Sequence, residues 1–299
     1  MDSALMLTRG SPVGLWASLS HLHPARGVYT GVSQVDGKDS LLIGQMTYTS
    51  GNRSARLAFI APGSAASPAG LSPLLDGLAY QAGEWGAFHL LGEIDESSPQ
   101  FEALRRSGFS VYAWQRIWRL EAPTADCGED SFWQPVSAVD EQAVRSLFQN
   151  LVPPLVQSAE PLPNRRLRGL VFRQNGEIIA YAEGLQGPRG TFLHPIVHPD
   201  VSNPCDLVQS LVRSQQRPGR PVFVAVRSYQ SWLESTLADL PAESTPRRAL
   251  LVKHLAKLQR VPLAARLGVE QRSSEMPSTS ILKPSTTAEE TALEQHRTV

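Results

Sequence analysis

The chain is 299 residues long, 41% hydrophobic, and carries 28 basic and 28 acidic side chains. A formal charge of zero gives nucleic acid or an anionic membrane no electrostatic hold, and no run of about 18 apolar residues is present to span a bilayer. Cys127 and Cys205 alone make no disulfide framework, and with no secretory segment in view the expected compartment is a reducing cytosol.

In chain order, 13–22 reads as a short helix with Leu15, Leu19 and Leu22 on one stripe. Two strands over 27–35 and 41–48 flank the turn Asp36-Gly37-Lys38-Asp39, and a third over 54–61 stops at Pro62-Gly63. Residues 63–70 are small and loop-like and lead into a helix over 71–84, whose apolar face is Leu71, Leu74, Leu75 and Leu78. A buried strand over 87–94 follows. Then come a short amphipathic helix with Phe101 and Leu104, a Gly108-Phe109 corner, and a half-buried strand to Leu120.

The polar segment 121–131 interrupts this pattern, so the predicted domains are 1–122 and 132–257, with 123–131 as linker. The second stretch opens with a strand over 132–136 and a helix capped by Asp140 that ends or kinks at Pro153-Pro154. A hairpin turns at Gln174-Asn175-Gly176, and a strand over 190–197 stops at His198-Pro199. A helix over 205–215, an apolar strand over 221–226, a helix over 229–240 and a strand over 248–254 complete it. The character changes after about Leu258, and residues 270–299 are polar and rich in Ser, Thr and Glu, so 258–299 reads as a disordered tail.

The two stretches repeat one element order at an offset of about 135 residues, the mark of an old duplication. Each has antiparallel strands, a strand–helix–strand crossover, then helix and strand. The fold class that follows is α/β with a mixed central sheet and helices on both faces of each half.

The corner Leu104-Arg105-Arg106-Ser107-Gly108-Phe109, and the strands ending at Ile60-Ala61-Pro62 and Val197-His198-Pro199, resemble the GNAT superfamily of N-acetyltransferases, here as a tandem pair. The resemblance implies two acyl-CoA N-acyltransferase folds, acetyl-CoA as cofactor, and transfer of its acetyl group to a small-molecule or peptide amine. It puts the pantetheine arm along the backbone of Phe59, Ile60 and Ala61. The pyrophosphate then falls on the loop Gly63, Ser64, Ala65, Ala66, Ser67 and Gly70, where backbone N–H groups and a helix start favour an anion. That loop lacks the family's basic residue, and Pro68 has no N–H to donate. In the second half the same place has no glycine and contains Asp200 and Asp206. The family's tyrosine acid falls at Leu104, and Glu93 and Asp95, at the end of a strand, are the candidate bases. The alternative reading is a catalytically inactive binding or regulatory protein that keeps this fold and has lost the cofactor loop.

The remaining candidates are weaker. His194 and His198 lack further ligands for a metal, so no metal is expected. Cys205, at a helix start, reads as a small core residue. Arg227, Tyr229 and Gln230 form a polar cluster at the mouth of the second sheet, either touching a ligand or serving capping and packing.

Overall fold

The computed structural model describes residues 2–11, 26–34, 41–63, 68–121, 133–164 and 166–255. They lie within one compact unit, Met1–Lys257. The predicted helix over 13–22, the linker 123–131 and the tail 258–299 fall outside the described residues.

The first half contains α1 (Ser3–Arg9), β1 (Arg26–Gln34), β2 (Leu41–Thr49), β3 (Ser54–Ala61), α2 (Pro68–Glu84), β4 (His89–Asp95), α3 (Gln100–Arg106) and β5 (Ser110–Leu120). The second contains β6 (Trp133–Pro135), α4 (Glu141–Leu151), α5 (Pro154–Ala159), β7 (Leu170–Gln174), β8 (Glu177–Gln186) and β9 (Thr191–Val197). It closes with α6 (Pro204–Gln215), β10 (Val222–Arg227), α7 (Trp232–Ala238), β11 (Ala242–Ser244) and β12 (Arg248–His254).

Local chemistry explains most of the boundaries. Gly108, at φ +87°, takes the left-handed position that ends α3, and the Phe109 N–H returns to the Leu104 carbonyl. Asn175 and Gly176 both have positive φ, which sets the tight β7–β8 turn. The Asp140 carboxylate accepts from the Ser137 backbone and hydroxyl, and Pro153 separates α4 from α5. Gly31 and Gly44, paired across β1 and β2, let α2 settle closely; an added Cβ at either would lie 3.0–3.1 Å from Leu74.

The strands form one sheet in the order β1-β2-β3-β4-β12-β5-β10-β9-β8-β7-β6, with β11 also on β5. The expectation of a separate sheet for each half is therefore corrected. The last strand of the second half, β12, inserts between β4 and β5 of the first. Reciprocally, β5 pairs with β10 of the second. Each half would otherwise expose the edge of a buried apolar strand, and the exchange pairs both edges.

Strand alternation divides the side chains between two faces. One face is apolar and covered by α2 and α3 over the first half and by α6 and α7 over the second. The other carries Leu91, Leu250 and Val252 at its centre and is covered by α1, α4 and α5. The polar groups collect on this second face.

Candidate functional site

The parallel strands β3 and β4 pair only from Ser54 to Arg56 against His89 to Leu91, and then diverge. Beyond that point β3 follows β2, whereas β4 follows β12 as far as Asp95. A cavity of about 200 Å³ opens in the splay, between α2 and α3 on one side and the strands on the other. Phe59, Ile60, Gly63, Glu93 and Asp95, all expected at the site, line it, as does Leu104. Ala61 ends β3 opposite Ile43, and Gly70 lies buried in the first turn of α2. Ser64, Ala65, Ala66 and Ser67 fall outside the described residues.

The two expected bases are already engaged. Glu93 accepts from Arg248 Nε at 2.6 Å, from Gln115 Nε2 at 2.8 Å and from the Ser3 backbone at 3.1 Å, and it also bonds the Ser3 hydroxyl. Asp2 adds a backbone bond to the Ala58 carbonyl, so the start of α1 bridges β3 and β4. Asp95 accepts from the hydroxyl and backbone of Ser97, and these bonds hold its carboxyl below the usual carboxylate range.

The corresponding splay of the second half is filled. β9 and β10 pair from Thr191 to Leu193 against Val222 to Val224, then part. Gln230 enters the gap: its side chain accepts from the Val197 N–H at 2.7 Å and donates to the Pro195 carbonyl at 3.0 Å. One side-chain amide thus pairs both backbone groups that an incoming ligand amide would seek. At the start of α6, Asn203 accepts from the Asp206 N–H, so that helix end is capped from within. Cys205 is half-buried there beside Gln209.

Across the second face lies a cleft built by both halves, with two adjoining lobes of about 350 and 460 Å³. Its hub is Glu160, just after α5. Arg227 donates to it twice, at 3.1 and 3.3 Å, Arg56 once at 2.9 Å, and the Tyr112 hydroxyl also bonds it. Burial alone would raise the Glu160 pKa, but the two guanidinium groups outweigh it and hold the carboxyl well below its usual range. The opposite balance acts on Tyr112, whose hydroxyl is raised well above its ordinary value by burial and by Glu160. His194 is pushed down to about 3 by burial and by Arg227, so it is neutral. Glu183, paired with His194 across β8 and β9, is raised by burial, and its carboxylate makes no hydrogen bond among the described residues.

Sequence reading missed Arg56, Tyr112, Glu160 and Glu183. For Arg56 and Arg227 a signal existed, because each is a lone charge within or ending an apolar strand on the same face. Glu160 sits in an irregular proline-rich stretch, and no local pattern marks it.

No protein-family model matches the chain, and no curated protein matches it. Among solved structures it is similar to a conserved protein of unknown function from Staphylococcus epidermidis. The identity is 11%, over 75% of this chain and 95% of that one, with a TM-score of 0.47. A GCN5-related N-acetyltransferase from Kribbella flavida is 13% identical over 80% and 93%, with a TM-score of 0.47. A tandem GNAT protein from the clavulanic acid biosynthesis pathway is 16% identical over 79% and 85%, with a TM-score of 0.44. From its antiparallel strands onward each half has the GNAT-like order of elements, a strand–helix–strand crossover and then a helix and a strand. Among the described residues no cluster of His, Cys, Asp or Glu is arranged to hold a metal, and no helix is long and apolar enough to cross a membrane.

Proposed function

We propose that the chain binds acetyl-CoA in the first-half splay and transfers its acetyl group to an amine held in the inter-half cleft. The carrying observation is the asymmetry of the splays: the first is a cavity, and the second is filled by Gln230. The residues fit the group in part. Phe59 and Ile60 offer an extended strand beside the opening, and a Cβ added at Gly63, at its mouth, would meet nothing within 4 Å among the described residues. Bound acetyl-CoA would supply an activated acyl group. Leu57, Gly92 and Glu93 wall both this cavity and the first lobe of the cleft, so donor and acceptor would meet across them.

Glu183 suits the role of base better than Glu93 or Asp95. Its carboxyl is raised by burial toward the range where it accepts a proton readily, and no donor occupies it among the described residues. Neutral His194 stands beside it. Glu93 would have to release Ser3 and Arg248 before it accepted a proton.

Titration with acetyl-CoA, read by calorimetry and by melting, tests the reading. One equivalent should bind, and at about 100 times Kd the chain should gain about 2.7 kcal/mol. No stabilisation at millimolar acetyl-CoA overturns it. A second reading, binding without turnover, is favoured by the α1 bonds to Ala58 and Glu93, which close the cleft side of the splay. Product formation with any member of an amine panel removes that reading.

A further inference from the structure

We infer that the inter-half cleft takes a small zwitterion of the amino-acid type, its carboxylate against Arg56 and Arg227 and its amine against Glu183. The inference deepens the acyl-transfer reading by naming the acceptor class and rests on it only for the transfer step.

All three groups line the first lobe, and Arg56 and Glu183 line the second as well. The charged and titratable groups facing this lobe are Asp2 at the start of α1, Arg56 from β3, Glu93 from β4, Tyr112 from β5, Glu160 after α5, Glu183 from β8, His194 from β9 and Arg227 from β10. Glu160 already receives four hydrogen bonds, which saturate a carboxylate and neutralise one arginine. Tyr112 stays protonated and His194 neutral. Glu93 is paired with Arg248, and Asp2 accepts from the Leu5 N–H. What remains is two guanidinium groups sharing the Glu160 carboxylate on one side and the Glu183 carboxylate on the other. A ligand carrying one charge of each sign meets both.

The orphan groups point the same way. Arg227 is only 6% exposed, yet its Nε has no partner among the described residues, and the buried Tyr229 hydroxyl and His194 Nε2 also lack one there. Buried donors without acceptors are costly, and a bound carboxylate supplies the acceptor that Arg227 Nε lacks. A phosphorylated ligand fits poorly, because its second negative charge would face Glu183 and Glu160. A simple apolar amine would leave the guanidinium unanswered. Apolar Phe148, Val156 and Ile196 line the second lobe and suit the ligand's side chain.

The experiment uses the intact chain and a calorimetric and thermal-shift panel: the common free amino acids, β-alanine, and γ-aminobutyrate. For any that binds, its carboxamide and its decarboxylated amine are measured beside it. At least one zwitterion should bind ten-fold or more tightly than both analogues. Arg56→Met should reduce that preference to within about two-fold, and Arg56→Lys, which keeps the charge, should restore part of it. Arg56 is 48% exposed into the cleft, so both variants are expected to fold. Glu183→Gln should weaken the zwitterion but not its N-acetylated acid, which keeps the carboxylate and lacks the charged amine. Equal binding of acid and carboxamide overturns the inference, as does an absence of binding by every zwitterion at millimolar concentration. If zwitterions bind while acetyl-CoA does not, the acyl-transfer reading fails and this one stands.

Discussion

The two splays of this molecule start from the same geometry and end differently. In each, a parallel pair keeps only three paired positions before its strands part. At β3 and β4 the gap remains a cavity with small residues at its mouth; at β9 and β10 the amide of Gln230 bonds Val197 and Pro195. A gap between diverging strands exposes backbone donors and acceptors, and these need partners wherever water is excluded. They can be satisfied by a ligand or from within. A site of the first kind retains the capacity to bind; one of the second becomes core. The two halves thus offer two slots, and in the second one side chain fills the slot as structure.

The largest expected effect concerns the hub that joins the halves. Glu160→Ala leaves the guanidinium of Arg227 buried without its counter-ion, a change that costs about 3–5 kcal/mol. Because β5 and β12 are exchanged, denaturant should unfold 2–255 in one transition in both the parent and the variant. Two separated transitions, or a loss under about 1 kcal/mol, would show that the halves are independent and the cluster solvated.

Next in size is the plug itself. Gln230→Leu keeps the volume but strands the Val197 N–H and the Pro195 carbonyl, at about 1–3 kcal/mol for each. Gln230→Ala opens the second gap, yet Asp200 and Asp206 near its mouth oppose a pyrophosphate, so acetyl-CoA should still bind at one equivalent. A second equivalent would mean that Gln230 alone separates the two slots. The complementary change is Gly92→Val in the first splay, where an added Cβ already lies 3.2 Å from Leu57. Overpacking of this kind costs about 1–3 kcal/mol. The added methyls should weaken acetyl-CoA at least ten-fold, and unaltered affinity would move the cofactor elsewhere.

How far this contrast was legible in the sequence depends on the kind of residue. Periodicity and turn chemistry are local, so the strands, the Gly108 corner and the Asn175-Gly176 turn could be read directly. The expected residues Phe59, Ile60 and Gly63 do meet around one cavity, because a single strand and its exit loop carry them. Strand exchange is not local. Nothing in residues 248–254 says that they pair with β4 rather than with their own half. The cleft was hidden for the same reason: Arg56, Tyr112, Glu160 and Arg227 come from segments up to 171 positions apart and meet only through the exchanged sheet. Gln230 stood in the sequence as one of a polar trio, with capping and ligand contact both open; the structure assigns it to packing, and Arg227 to the cleft.

The smallest predicted effect is a slope in pH. His194 has a folded pKa of about 3 against 6.5 for the free side chain, so between those values the unfolded chain binds the extra proton. Stability must therefore rise with pH through this window and be lost as pH falls from 6.5 toward 3. Its surroundings fix the sign: Arg227 and Arg56 oppose a charge on the ring, and Glu160, which would favour one, is already taken by both arginines. His89, lowered by burial and by His254, adds a slope of the same sign, whereas Glu183, raised by burial in the folded state, acts oppositely. One histidine gives at most roughly 1.4 kcal/mol per pH unit. Urea midpoints measured between about pH 6.5 and 5 should fall with acid in the parent and fall less in His194→Gln. Equal slopes would mean that His194 is charged in the folded cleft, and Glu183 would then face an imidazolium rather than the amine of a substrate.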